Sequence, residues 1–157
     1  MRITLVAIGK TTDKYIADGF EKFANRINRY CKFTTKIIPE LKNTKSMPVE
    51  LQQKKEGDLI LEEMKNHKYN VLLDEAGKQF SSVEFAKWIE KRMVGGENDI
   101  AFYIGGPYGF TDEVKNKCQA LLSISKMTFS HQIIRVIFAE QLYRAFTIIK
   151  GEPYHNS

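Results

Sequence analysis

The sequence is poor in the residues that staple, metallate or embed a protein. Its 157 residues include two cysteines, Cys31 and Cys118. That is too few for a disulfide framework, and the two have no metal spacing; they read as plain thiols of a reducing cytoplasm. The three histidines, His67, His131 and His155, lack the ligand spacing of a zinc site. No apolar run approaches the length of a membrane span. The apolar part of the N-terminal "MRITLVAIG" is too short for a signal peptide and lacks a cleavage site. The first predicted strand is followed only by Gly9-Lys-Thr, not by G-x-G-x-x-G. A G-x-x-x-x-G-K-[ST] phosphate loop is absent as well, so nicotinamide and nucleotide-triphosphate chemistry lose support. No serine stands in a G-x-S-x-G elbow.

What remains is an ordinary soluble composition, 43% hydrophobic and 27% charged, in a chain long enough for one domain with a core of its own. Apolar runs alternate with amphipathic ones throughout. Residues 2–9, 32–38, 69–73, "NDIAFYIGG" and "LLSIS" read as strands. Ile16, Phe20, Phe23, Ile27 and Tyr30 form one helical stripe, and a second helix runs from Val49 to about Asn66. Gly57 in "KEGD" weakens that helix and hints at close packing. Glu75-Ala76-Gly77 reads as a turn closing the third strand. Ser81 and Glu84 form a capping box that opens a helix to about Val94, Thr111-Asp112-Glu113 starts a short one, and Ile133–Lys150 is a long final helix closed by Gly151 and Pro153. The order predicts one α/β domain over residues 1–157, a mostly parallel sheet with helices on both faces.

Ligands of open α/β sheets bind beyond the carboxyl ends of strands. Three such ends stand out: Leu72-Leu73-Asp74, Ile104-Gly105-Gly106 and Ile124-Ser125-Lys126-Met127-Thr128-Phe129. The glycines of "FYIGGPYGF" suit a ligand lying on bare backbone and, equally, a tight turn with no ligand. The final helix is apolar nearly all round, which asks for burial, here by a partner subunit. Glu140 and Arg144 pair at i,i+4 as a polar seam, and His131 and Arg135 share a face near the preceding loop. The tail "GEPYHNS" joins a phenol and an imidazole, but by itself a terminus reads as a frayed end. The net charge is +5, and Lys22, Arg26, Arg29, Lys32, Lys36, Lys42 and Lys45 face a single acid, Glu40. The cluster fits a solvated lysine-rich face, and it fits phosphates.

Three segments, "YIGGPYGF", "LSISKMTFSHQIIRVIFAEQLYRAF" and the terminal "GEPYH", together with "MRITLVAIGK" and "KKEGDLIL", resemble the RlmH family over the whole chain. This is a SPOUT-class family of bacterial large-subunit ribosomal RNA methyltransferases. The resemblance implies a C-terminal deep trefoil knot, a homodimer, and S-adenosylmethionine as methyl donor with S-adenosylhomocysteine as product, without a metal. It implies cofactor contacts at Leu73, Gly105, Ile124, Ser125, Lys126, Met127, Thr128 and Phe129. It implies methylation of N3 of a pseudouridine in the large-subunit RNA of assembled ribosomes. Tyr154, His155 and Arg144 correspond to the family's reactive tail and arginine, with Arg135 a second arginine candidate. It also turns the basic run, above all Lys22, Arg26, Arg29, Lys32 and Lys36, toward RNA. Two other readings stand beside this one: a knotted methyltransferase acting on transfer RNA, and a non-catalytic ribosome-binding or assembly protein with a vestigial pocket.

Overall fold

A computed structural model of the chain describes residues 1–156; Ser157, the last residue of the predicted domain, lies outside the described residues. Ten elements alternate: β1 (Arg2–Ile8), α1 (Lys14–Ile27), β2 (Lys32–Ile38), α2 (Val49–Met64), β3 (Tyr69–Gln79), α3 (Ser82–Val94), β4 (Asp99–Ile104), α4 (Asp112–Lys117), β5 (Ala120–Ser123) and α5 (Ile133–Lys150). The strands form one sheet in the order β2-β1-β4-β3-β5, and every pairing is parallel.

The period of two along the central strands divides the core. Ile3, Leu5 and Ala7 of β1 and Ile100, Phe102 and Ile104 of β4 face α1, α3 and α5, whose Ile27, Phe85, Ile89, Phe138, Leu142 and Phe146 complete that side. Val6, Ile8, Ala101 and Tyr103 point the other way, onto Ile60 and Met64 of α2 and Val114 of α4. Burial on both faces is why these strands read as unbroken apolar runs rather than as alternating ones. Helices therefore cover both faces, as the alternation predicts. Among the described residues no helix is long and apolar enough to cross a membrane.

The capping box is present: Ser81 Oγ accepts from the Glu84 amide at 3.1 Å, and Glu84 Oε1 accepts from the Ser81 amide at 2.8 Å. Such a cap is worth about 1 kcal/mol. The third strand departs from the sequence expectation. It does not end at Leu73 but runs on to Gln79, with a bulge between Leu73 and Lys78, both of which pair with Leu122. Gly77 makes the return possible, because a Cβ there would sit 2.6–2.8 Å from the Leu121–Leu122 backbone. The bulge throws Asp74 and Glu75 out of the ladder at the carboxyl end of the sheet, which is the work bulges do beside sites.

Helix α5 lies against both α1 and α3. Its apolar coat is only partly covered: Phe138, Ala139, Leu142, Ala145 and Phe146 are buried, while Ile133, Ile134, Val136, Ile137, Ile148 and Ile149 are half-buried in the single chain. The helix start is tied to the loop after β1. Gln132 accepts from the Thr12 amide at 2.9 Å and donates to the Lys10 carbonyl at 3.0 Å. Gly151, at φ +68°, ends the helix.

Candidate active site

The carboxyl ends of β3, β4 and β5 enclose a cavity of about 420 Å³, within the range of about 300–1,000 Å³ usual for small-molecule sites. Its walls include Leu73, Gly105, Ile124, Ser125, Met127, Thr128 and Phe129. All but one of the residues expected to hold the cofactor thus meet around one space; Lys126 does not line it. Glu75, His131 and Ile134, none of them among the residues expected to hold the cofactor, line it too. The signal for Glu75 was present but misread as a closing turn.

The loop from Ile124 to Gln132 is shaped by its own hydroxyls. Ser123 Oγ donates to the Ser125 carbonyl at 2.9 Å, and Ser125 Oγ accepts from the Met127 amide at 3.0 Å. Thr128 Oγ1 donates to Glu75 Oε2 at 3.1 Å, and Ser130 Oγ accepts from the Ile133 amide at 3.1 Å. Short polar side chains bonding nearby backbone in this way fix a loop without regular structure.

The glycines have an internal cause. A Cβ at Gly106 would lie 2.5–2.7 Å from the carboxyl of Glu56, and one at Gly105 would lie 3.3 Å from the Phe110 ring. The space their side chains would take is filled by the protein itself, while both residues still border the cavity.

Arg135 is buried, at 2% exposure. Its Nη2 donates to the Ile8 carbonyl at 3.0 Å, its Nη1 to the Gly9 carbonyl at 2.8 Å and to Thr11 Oγ1 at 3.1 Å, and its Nε to the His131 carbonyl at 3.0 Å. Four of its five N–H donors clamp the start of α5 to the end of β1, apart from the other proposed catalytic groups.

Those other groups do come together. Arg144 Nη2 and Nε donate to Glu140 Oε1 at 2.6 and 2.9 Å, and Arg144 Nη1 lies 3.1 Å from Nδ1 of His155. Tyr154 OH donates to the same Glu140 oxygen at 3.3 Å, with its ring under the Arg144 guanidinium and edge-on to Tyr143 at 4.7 Å. Burial first, and the Glu140 charge next, hold the Tyr154 phenol above its ordinary value. Tyr30 OH donates to Glu152 at 2.7 Å, and burial together with that bond pushes its phenol up to about 12. The frayed-end reading of the tail is therefore corrected: Tyr154 and His155 are half-buried against α5, and Glu152 is tied to Tyr30. Within the chain this cluster stands apart from the cavity. From Ile134, which lines the cavity, to Arg144 is ten residues of α5, about 15 Å at about 1.5 Å per residue.

The basic run spreads over α1 and β2. Lys22, Arg29, Lys32 and Lys36 are exposed. Arg26 is half-buried, its guanidinium 5.4 Å from the centre of the Tyr143 ring, so it reaches the aromatic group that carries the tail. Among the described residues, no three His, Cys, Asp or Glu side chains gather as ligands of a metal ion.

The model of the family described as "Predicted SPOUT methyltransferase" matches residues 1–155. The "Ribosomal RNA large subunit methyltransferase H" proteins of Christiangramia forsetii and Phocaeicola vulgatus are 51% and 47% identical over 156 residues, covering 99% of both chains in each case. Among solved structures, a probable methylase family protein from Haemophilus influenzae superposes with a TM-score of 0.54 at 14% identity, covering 99% of this chain and 70% of that one. A probable methyltransferase from Bordetella pertussis gives 0.53 at 13% identity, covering 91% of this chain and 95% of that one; likenesses this remote speak for the fold alone. The chain belongs to the SPOUT methyltransferase family, alongside the proteins named ribosomal RNA large subunit methyltransferase H.

Proposed function

We propose that this protein is a cytoplasmic, S-adenosylmethionine-dependent methyltransferase that methylates N3 of a pseudouridine in the large-subunit ribosomal RNA of assembled ribosomes. The observation that carries the reading is the convergence of Leu73, Gly105, Ile124, Ser125, Met127, Thr128 and Phe129 on one cavity at the carboxyl edge of the sheet. The cavity fits the cofactor in kind as well as in size: apolar walls from Leu73, Ile104, Ile124 and Phe129 suit a purine, and the backbone at Gly105 and the 124–130 loop supplies groups to read its edge. When bound there, S-adenosylmethionine supplies an electrophilic methyl on a sulfonium sulfur.

The residues of the chain bind, orient and stabilise. The base is held so that N3 faces the methyl, and N3 gives its proton up to solvent water as it takes the methyl and the sulfur keeps the bonding pair. Negative charge then grows on the imide oxygens. Arg144 is a permanent cation, and its Nη1 fixes His155 through Nδ1. A guanidinium only donates, so Nδ1 is unprotonated, and Nε2–H of the imidazole is the donor offered to those oxygens. Tyr154, with its proton held and given to Glu140, braces this pair rather than serving as a base.

The tail does not reach the cavity of its own chain. The protein therefore acts as a homodimer in which the tail of one protomer completes the cavity of its partner. The half-buried isoleucines of α5 supply apolar surface for that contact, and the C-terminal segment adopts the deep trefoil knot of the SPOUT class. Lys22, Arg29, Lys32 and Lys36 hold RNA phosphates outside the site, with Arg26 between them and the tail. Calorimetry with S-adenosylmethionine separates this enzyme from a ribosome-binding protein with a vestigial pocket, which would bind ribosomes and not the cofactor. Mass spectrometry of nucleosides from treated ribosomes tests the atom: N3-methylpseudouridine supports the reading, and methyl on any other base overturns it.

A further inference from the structure

Glu56 belongs to the "KEGD" stretch, which the site has so far left without a role. The residue is 4% exposed, its Oε1 has no hydrogen-bond partner, and its Oε2 receives only a long bond of 3.4 Å from Gln52. A buried carboxyl oxygen without a donor is a cost to folding. Among the described residues only Arg92 Nε is in the same condition, and its guanidinium lies over the Tyr69 and Trp88 rings.

Helix α2 brings Glu56 to the cavity by close contact. Gly57 lets the helix approach Thr111, to which a Cβ would stand 3.1 Å away. Gln53, one turn before Glu56, donates to the Tyr108 carbonyl at 3.0 Å and thereby pins the turn after β4. The Glu56 carboxyl then stands directly behind Gly106, a wall of the cavity. Asp74 and Glu75, expelled by the β3 bulge, line the same space, and no lysine or arginine does; Lys115, outside the lining, stands 3.8 Å from Asp74 and offsets its charge, which leaves Glu75 and Glu56. This is an acidic cavity in a chain of net charge +5.

We propose that the cavity selects its ligand by charge: Glu56, acting from behind Gly106 together with Glu75, favours a cationic sulfonium over the neutral thioether that remains after methyl transfer. The inference rests on the cofactor reading above and adds to it a device for product release. The group that makes the discrimination is one that stability alone would remove, the usual trade at functional sites.

The test is calorimetric titration of S-adenosylmethionine and of S-adenosylhomocysteine into wild-type protein and Glu56→Gln, with melting temperatures for both. The expected result is a shift of the affinity ratio toward the neutral product by about threefold or more, with a melting temperature equal to or above wild type. A ratio unchanged within about twofold overturns the inference. So does equal weakening of both ligands together with a lower melting temperature, the mark of a purely structural residue. If Glu56→Gln does not fold, Glu75→Gln replaces it and moves the ratio the same way by less; an unmoved ratio there overturns the inference. Wild-type protein that binds neither ligand overturns the cofactor reading and this inference with it. Wild-type protein that binds both, with the ratio unmoved in the variant, overturns only the charge selection.

Discussion

Arg144 Nη1 stands 3.1 Å from Nδ1 of His155, at the foot of the final helix. The contact fixes the imidazole by its inner nitrogen and leaves the outer one free to donate. It predicts that His155→Ala lowers methyl transfer by about 100-fold or more. Cofactor affinity and melting temperature stay near wild type, because His155 lies outside the core and is assigned to the RNA base rather than to the cofactor. Single-turnover kinetics, calorimetry and thermal unfolding check the three parts.

The separation of tail from cavity predicts complementation. A protomer with His155→Ala keeps a sound cavity, and a protomer with a bulky substitution at Gly106 keeps a sound tail. Neither homodimer is active. Co-expressed and purified through two different tags, the mixed dimer has one working site if the tail acts across the interface, and none if it acts within its own chain. The initial rate of methyl transfer per dimer decides.

Arg135 gives its guanidinium to three backbone carbonyls and a threonine hydroxyl. Arg135→Met leaves those carbonyls buried without donors, and the expected loss is about 3 kcal/mol, or a fall in Tm of about 6–12 °C for a chain of this size. Residual activity, measured well below the new Tm, should fall far less than in His155→Ala.

Burial holds the Glu56 carboxyl above the usual carboxylate range, with the Gln52 bond opposing and the Glu40 charge adding. The sign follows from linkage. In acid the side chain is neutral in both folded and unfolded chains and costs nothing by its charge. As pH rises above the unfolded value, the unfolded chain loses its proton and the folded chain resists losing it, so stability falls until the raised folded value is passed. Glu56→Gln should therefore match wild type near about pH 4 and exceed it increasingly toward about pH 7. Melting curves across that window check it, and a constant difference would contradict it.

Charge reversal at Lys22 and Arg29, both exposed, should weaken ribosome binding and reduce its salt dependence, with cofactor affinity unchanged. Arg26→Glu should do more. It also removes the cation from the Tyr143 ring, which packs on Tyr154, and so lowers turnover on bound ribosomes. Binding isotherms at several salt concentrations, paired with turnover at saturating ribosome, separate the two effects.

The sequence carried the architecture because its signals were local and mutually consistent. Two-sided apolar runs such as Ile3–Ile8 and Ile100–Ile104, the capping box at Ser81 and the stop at Gly151 each act within a few residues. The end of β3 was misread for the same reason. Glu75-Ala76-Gly77 has turn composition, and only the Leu121–Leu122 backbone packed against Gly77 shows that the strand resumes. The strand ends that form the cavity were legible from topology, but the roles of their residues came from resemblance. Glu56 was invisible as a site residue because its meaning lies in Gly106, fifty residues on, and in a carboxyl oxygen that finds no donor. The packing of the tail is not legible in the sequence because its anchors, Glu140 and Tyr143 of α5 and Tyr30 in the turn after α1, are brought to it by the fold.

The most direct test of the account is transfer of labelled methyl from S-adenosylmethionine to four substrates side by side: assembled ribosomes lacking the modification, separated large subunits, stripped ribosomal RNA and bulk transfer RNA. The account predicts label chiefly in the large-subunit RNA of assembled ribosomes, at a pseudouridine. Label in transfer RNA, or none in any substrate despite measurable cofactor binding, would contradict it.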